Sequence, residues 1–310
     1  MKTAFVFPGQ GSQYAGMGKK LAEQFPLCRQ VFETADRILG FPLSKICFEG
    51  PKEELDKTEI TQPAILTTSL AIYELLKDRG IRPFAAAGLS LGEYSSLVAS
   101  GALQFEDALK LVIRRGQIMQ HAVPLGQGMM AAIIGLDSSI VEQVCAEASS
   151  VGTVQIANYN CPGQLVISGE QKAVQKAGDL LKKQGARVVP LAVSVPSHSS
   201  LMYQAAAAFK QELEKIRWAE PLFPVISNAR AQEIRQQDLP DVLVEQLYKP
   251  VLWQQSITMM AEKVDCFIEV GPGKVLSGLI RKTVKNKLVG NVEDADSLER
   301  IVNKIKEGAS

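Results

Sequence analysis

The sequence predicts an α/β fold: an α/β-hydrolase-like parallel-sheet core with an inserted ferredoxin-like (βαββαβ) unit. Three observations carry this expectation. Short apolar runs end abruptly in glycine- or proline-bearing turns, helical periodicity fills the space between them, and the rhythm changes in the middle of the chain. The first run, Ala4 to Phe7, is followed by Pro8-Gly9-Gln10-Gly11-Ser12-Gln13. The second, Phe84 to Ala87, leads into Gly88-Leu89-Ser90-Leu91-Gly92, and the third, Cys266 to Val270, into Gly271-Pro272-Gly273. Helical spacing marks Ala64 to Leu76 and Phe105 to Met119. Strands that alternate with helices build a parallel sheet, whose active site forms from the loops at the carboxyl ends of its strands.

The middle segment reads as β-α-β-β-α-β. Its strands are Met129 to Ile134, Val154 to Ala157, Leu165 to Ser168 and Val188 to Val193. Its helices are Ser138 to Ala148 and Gln171 to Gln184, and Cys161-Pro162-Gly163 makes the central turn. This order predicts a ferredoxin-like unit over residues 126–196, set into a larger unit formed by residues 1–125 and 197–310. The crevice between two such units is a natural ligand site.

Composition narrows the function. The chain has 310 residues and a formal net charge of +1, so nothing global draws it to nucleic acid or to a membrane surface. No apolar run approaches membrane-spanning length. The five cysteines, Cys28, Cys47, Cys145, Cys161 and Cys266, are scattered and lack metal-ligand spacing. With only two histidines, a structural zinc site is not expected, and the thiols read as reduced in a cytoplasmic protein.

Gly88-Leu89-Ser90-Leu91-Gly92 matches G-x-S-x-G between a strand and a helix, the nucleophile-elbow pattern. Its competing reading is a tight turn whose serine caps the next helix. Serine needs a base, and the candidates are His121 and His198. His121 ends a helical stretch, where an imidazole meets the helix dipole favourably. His198 follows a strand and precedes a helix, so it is the expected base for Ser90. Of the intervening carboxylates, Glu106, Asp107, Asp137, Glu142 and Glu147 fall on or beside helices, and Glu170 and Asp179 fall in the insert. None sits clearly at a strand end. The expectation is a Ser–His dyad whose imidazole is oriented by a neutral group.

Five segments then occur together and in order: Phe7 to Gln13, the Ser90 elbow with Glu93-Tyr94-Ser95, Arg114-Arg115-Gly116, Val195-Pro196-Ser197-His198, and Glu269 to Lys274. Over essentially its whole length the chain resembles the malonyl-CoA:acyl carrier protein transacylases. The resemblance implies that Ser90 attacks the malonyl thioester and that His198 carries the proton. It implies an oxyanion hole formed by the backbone N–H groups of Gln10 and Leu91. Arg115 would clasp the free carboxylate of the malonyl group, with Gln62, Asn158 and Asn160 lining the cleft. For Gln62 helix capping is an equal alternative, and for the two asparagines a turn role.

The substrates implied are malonyl-CoA and holo-acyl carrier protein, with no bound cofactor and no metal, in a monomer. The acidic carrier would dock on a basic patch, for which Arg281, Lys282, Lys285 and Lys287 form the densest stretch. A solvated helix end is the plainer reading of that stretch. Two positions depart from the family pattern. Leu89 stands where many members have histidine, and Leu252 stands where a glutamine is frequent. That residue's main-chain carbonyl orients the catalytic histidine in the family, so Leu252 is expected to supply it here. The rival readings are a trans-acting polyketide synthase acyltransferase, an acyl hydrolase and a non-catalytic carrier-binding scaffold. The first two share the dyad, and Arg115 argues against the hydrolase.

Overall fold

The computed structural model describes residues 1–124, 126–192 and 195–307. Strands β1 (Thr3–Phe7), β2 (Ala85–Gly88), β7 (Val225–Ile226), β8 (Cys266–Val270) and β9 (Leu288–Val292) form one sheet, in the order β7-β2-β1-β8-β9, all parallel. Strand β1 is central and buried along its whole length, which is why it reads as a continuous apolar run. Its side chains still alternate. Phe5 and Phe7 enter a large core with Ile72, Tyr73 and Leu76, while Ala4 and Val6 pack with Trp253 and Ile257 on the opposite face.

Strands β3 (Gly128–Ile134), β4 (Val154–Cys161), β5 (Gln164–Glu170) and β6 (Arg187–Pro190) form a separate antiparallel sheet, in the order β4-β5-β3-β6. The Ser138–Ala148 and Gln171–Lys183 helices cover it through Val141, Val144, Val174 and Leu181, which meet Ile133, Ile156 and Ile167. This is the ferredoxin-like order expected from the sequence. Strand β6 was expected to reach Val193, which lies outside the described residues, as do Leu125 at one expected boundary and residues 308–310. The two sheets meet where β4 continues onto Val251: Tyr159 N–H donates to Val251 C=O at 2.9 Å and Val251 N–H to Ala157 C=O at 2.8 Å.

Two expectations change, and the basic stretch keeps its helix end but is followed by a strand. The helix expected from Ala64 begins at Thr58 and runs through Pro63 to Asp78, so Gln62 is a helical residue rather than a cap. Asn158 and Asn160 lie in β4 rather than in a turn. The basic stretch Arg281–Lys287 ends one helix, Val275–Thr283, and leads into β9, a strand the charge run concealed. All five cysteines are free and buried. Among the described residues no helix is long and apolar enough to cross a membrane.

Candidate active site

The elbow is a sharp turn between β2 and the Gly92–Ala99 helix, and glycine is what permits it. A Cβ on Gly88 would overlap the backbone of Gly92, and a Cβ on Gly92 would overlap the Phe7 carbonyl of the neighbouring strand. Ser90 at the apex has φ +51°, and His198 has φ +59°. Left-handed backbone is costly for side-chain-bearing residues, by about 1–3 kcal/mol, and persists where surrounding contacts enforce it. Here Asn228, just past β7, provides such contacts: its Oδ1 accepts from Ser90 N–H at 2.6 Å and its Nδ2 donates to Gly88 C=O at 2.6 Å. His198 N–H is held by the Leu247 carbonyl at 2.9 Å.

Ser90 Oγ and His198 Nε2 are 2.9 Å apart. His198 Nδ1 lies 2.7 Å from the carbonyl oxygen of Gln246, in the Leu239–Tyr248 helix. A carbonyl can only accept, so Nδ1 carries the proton and Nε2 is free to accept from the serine hydroxyl. This corrects the expectation at Leu252. The Leu252 carbonyl receives the Ser256 hydroxyl at 2.8 Å and the Ser256 N–H at 2.9 Å, starting the Trp253–Ala261 helix. The orienting carbonyl comes instead from the end of the preceding helix, which also holds the His198 backbone. Burial, reinforced by the charge of Arg115, pushes the His198 imidazole down to about 4, so it is neutral and basic-ready at neutral pH.

Arg115 is buried within the Phe105–His121 helix. Its Nη1 donates to Gln62 Oε1 at 3.0 Å, and its Nη2 to Ser90 Oγ at 3.1 Å and to Gln246 Oε1 at 3.0 Å. Its guanidinium carbon stands 5.4 Å from the Tyr94 ring centroid. Burial lowers its affinity for a proton, while Tyr94 and Glu93 oppose that effect. Among the described residues, the buried donors Arg115 Nε and Gln62 Nε2 have no hydrogen-bond partner. Arg115 and Gln62 are thus brought to the nucleophile.

On the other side of Ser90, the Pro8–Gln13 loop follows β1. Gly11 N–H donates to Gln13 Oε1 at 2.7 Å and Ser12 N–H to Gly9 C=O at 3.3 Å. In the elbow, Leu89 N–H donates to Phe7 C=O and Gly92 N–H to Leu89 C=O. The N–H groups of Gln10 and Leu91 make no hydrogen bond among the described residues. A Cβ on Gly9 would overlap the Leu89 carbonyl, so the two loops touch there. Two unspent donors on touching loops beside a nucleophile are what a developing oxyanion requires.

The remaining expected residues stand apart. Asn158 and Asn160 are buried in β4 and bond to neither Ser90, His198 nor Arg115. Among the described residues, Asn160 Oδ1 is buried without a partner. Arg281 Nη2 donates to Val289 C=O at 2.9 Å, Lys282 Nζ to Gln164 Oε1 at 3.4 Å and Lys287 Nζ to Val264 C=O at 2.8 Å, while Lys285 is exposed.

Gln246, Asn228 and Glu93 received no role in the sequence reading. Asn228 carried a readable signal, being an asparagine at the end of the apolar pair Val225-Ile226. Gln246 carried none, since nothing in its helix distinguishes it from a surface glutamine. Glu269, in the last of the five segments, caps a helix: its carboxylate accepts from Leu276 N–H at 3.0 Å and Ser277 N–H at 2.7 Å.

The acyl transferase domain model matches residues 4–308. The chain is 48% identical over 310 residues to the malonyl CoA-acyl carrier protein transacylase of Bacillus subtilis (strain 168), covering 99% of this chain and 98% of that protein. The crystal structure of malonyl CoA-acyl carrier protein transacylase from Clostridium perfringens superposes with a TM-score of 0.97 at 43% identity, covering 100% of this chain and 98% of that one. The structure of a type II PKS acyl-carrier protein in complex with its malonyl-transacylase contains a chain that superposes with a TM-score of 0.96 at 43% identity, covering 98% of this chain and 100% of that one. The elbow, the Ser–His pair and the buried arginine are therefore those of a member of the acyl transferase family, to which this chain belongs among the malonyl CoA-acyl carrier protein transacylases.

Proposed function

We propose that this protein transfers the malonyl group from malonyl-CoA to the phosphopantetheine thiol of acyl carrier protein through a malonyl-Ser90 intermediate, supplying fatty-acid chain elongation in the cytoplasm. His198 Nε2 takes the Ser90 proton as Oγ bonds to the thioester carbonyl carbon. The C–S bond then breaks, and coenzyme A leaves with the proton from His198. In the second half the carrier thiol gives its proton to His198 and attacks the seryl ester. The C–O bond breaks and the proton returns to Ser90 Oγ. The N–H groups of Gln10 and Leu91 hold the oxyanion in both halves. Two thioester exchanges through an ester need neither a metal nor a bound cofactor.

The observation that carries the reading is Arg115, a buried guanidinium 3.1 Å from the nucleophilic oxygen. Such a group is costly to bury unless an anion meets it. The Nη2 group beside Ser90 Oγ suits a carboxylate carried by the acyl group. Acetyl would leave the guanidinium without an anion, which disfavours it. Residues 1–125 with 197–310 form the catalytic unit in this reading, and residues 126–196 form a wall of the cleft bearing Asn158 and Asn160. The protein acts as a monomer, and Arg281, Lys282, Lys285 and Lys287 attract the acidic carrier.

Loading with radiolabelled malonyl-CoA and a chase with holo-acyl carrier protein tests this. Label passing from enzyme to carrier, at a rate that falls with added salt, is expected. Label released as free malonate in the presence of carrier would contradict transfer and support hydrolysis.

A further inference from the structure

Glu93 is a buried acid that the transfer chemistry leaves unused. It lies three residues past the nucleophile and has no exposed surface. Every group recorded against its oxygens is a donor: Gln246 Nε2 donates to Oε2, and Asn228 N–H lies 3.4 Å from both oxygens. Burial pushes the carboxyl up to about 8, opposed by the hydrogen bonds from Gln246 and Asn228 and by the charge of Arg115.

The Gln246 side chain is held between groups of fixed polarity. Its Nε2 faces Glu93 and the Ser90 carbonyl, the latter at 3.0 Å, and both accept. Its Oε1 faces Arg115 Nη2 at 3.0 Å, and a guanidinium only donates. One orientation of the amide satisfies all three neighbours, and its reverse would set donor against donor at Arg115. Arg115 Nη2 is also the nitrogen that reaches Ser90 Oγ.

We infer that Glu93 is a positioning residue: through the Gln246 amide it fixes the Arg115 guanidinium in register with the acylated oxygen of Ser90, and so sets the preference for acyl groups that carry a carboxylate. The inference rests on the reading of Ser90 as the malonylated nucleophile. Above about pH 8, where the carboxyl is ionised, both oxygens accept, and Glu93→Gln sets a donor in place of one of them against Asn228 N–H or Gln246 Nε2. The amide of Gln246 then loses its single favoured sense, and Arg115 its anchor. Acetyl transfer does not use the guanidinium as an anion partner, so it is far less sensitive.

The test measures kcat/KM for Ser90 acylation by malonyl-CoA and by acetyl-CoA in wild type and Glu93→Gln, above about pH 8 where the carboxyl is ionised. The ratio within one preparation cancels the folded fraction, so a merely structural role would not move it. The ratio is expected to fall about tenfold, through the malonyl value, as for a displaced charge-assisted hydrogen bond. An unchanged or raised ratio overturns the inference. Gln246→Met provides a second arm, because it removes the amide and keeps the backbone carbonyl that holds His198. It is expected to lower the ratio similarly, with no further fall when Glu93→Gln is added. A ratio unaffected by Gln246→Met, or a further fall in the double variant, excludes the relay through Gln246, and the first of these holds even if Glu93→Gln does not fold. Wild type that takes up no malonyl would instead remove the underlying reading, and the inference with it.

Discussion

Around Ser90 the parallel-sheet unit buries Glu93, Arg115, His198, Asn228 and Gln246 in one hydrogen-bonded network, whereas the antiparallel sheet buries mainly aliphatic side chains such as Ile133, Val144, Ile156, Ile167 and Leu181. Both are well packed, but they respond differently to change. A hydrophobic cluster loses stability in proportion to the volume removed and keeps its shape. A network of fixed donors and acceptors fails as a unit, because each lost partner leaves another group buried and unsatisfied. The chemistry sits in the second kind of region. The first kind is tied to it through Val251 and through Gln155, whose amide donates to His198 C=O at 3.3 Å and accepts from Ser200 N–H at 3.0 Å.

The sharpest way to break the contrast is at the elbow. Gly92→Ala puts a methyl group onto the Phe7 and Pro8 carbonyls, which are backbone and cannot turn away. We expect loss of Ser90 acylation and a destabilisation of about 3 kcal/mol or more, read by denaturant unfolding. Retained acylation would show that the elbow can open without harm. Next comes Asn228→Ala, which frees Ser90 N–H and Gly88 C=O without altering the dyad. Acylation is expected to fall about ten- to a hundredfold, in kcat, with the malonyl-to-acetyl ratio preserved. A changed ratio would place Asn228 in substrate selection.

The pH dependence sharpens the electrostatic side of the comparison. His198 holds its proton only below about 4 in the folded protein, against an ordinary value of 6.5. Single-turnover acylation should be flat across neutral pH and decline only as pH approaches that lower value. Arg115→Ala should move this acid limb upward, because the arginine's charge is the second cause of the depression. Between the two values the unfolded chain binds a proton that the folded chain refuses, so the stability due to neutral His198 is complete above 6.5 and is lost as pH falls toward 4. An acid limb centred near 6.5 in wild type would contradict the burial of the imidazole.

The smallest effect on chemistry is expected in the antiparallel sheet. Ile167→Ala empties part of a core position with no exposed surface and should cost about 2–5 kcal/mol in thermal or denaturant unfolding. Acylation per folded molecule should stay within about twofold, since no polar partner is lost. A large loss of specific activity would show that the wall transmits strain to the dyad.

Much of this was legible in the sequence where local physics dictates local residues. The apolar runs of β1, β2 and β8, the glycines of the elbow and the β-α-β-β-α-β rhythm each follow from short-range needs. So does Ser90, just past the end of β2, whereas His198 lies eight residues beyond β6, just before a short helical turn, rather than at the strand end its sequence suggests. What was illegible depends on long-range pairing. Gln246 lies 156 residues from Ser90, and Asn228 lies 138 from it. Only the parallel sheet, with the helix after β7, brings them together. Leu252 was mistaken for the orienting position because a backbone carbonyl leaves no side-chain signature. Gln246 supplies that carbonyl and uses its side chain as well. Strand β7, two residues long, and β9, behind a run of lysines, were too short or too masked by charge to be read.

In the proposed function a buried guanidinium beside an elbow serine selects a carboxylate-bearing acyl group. Intact-mass spectrometry after brief mixing with malonyl-CoA or acetyl-CoA tests it most directly, using wild type, Ser90→Ala and Arg115→Ala. A malonyl adduct is expected on wild type and none on Ser90→Ala. On Arg115→Ala the preference shifts toward acetyl by about tenfold or more, the loss of a charge-assisted contact. A wild type that takes acetyl as readily as malonyl, or an adduct that survives Ser90→Ala, would contradict it.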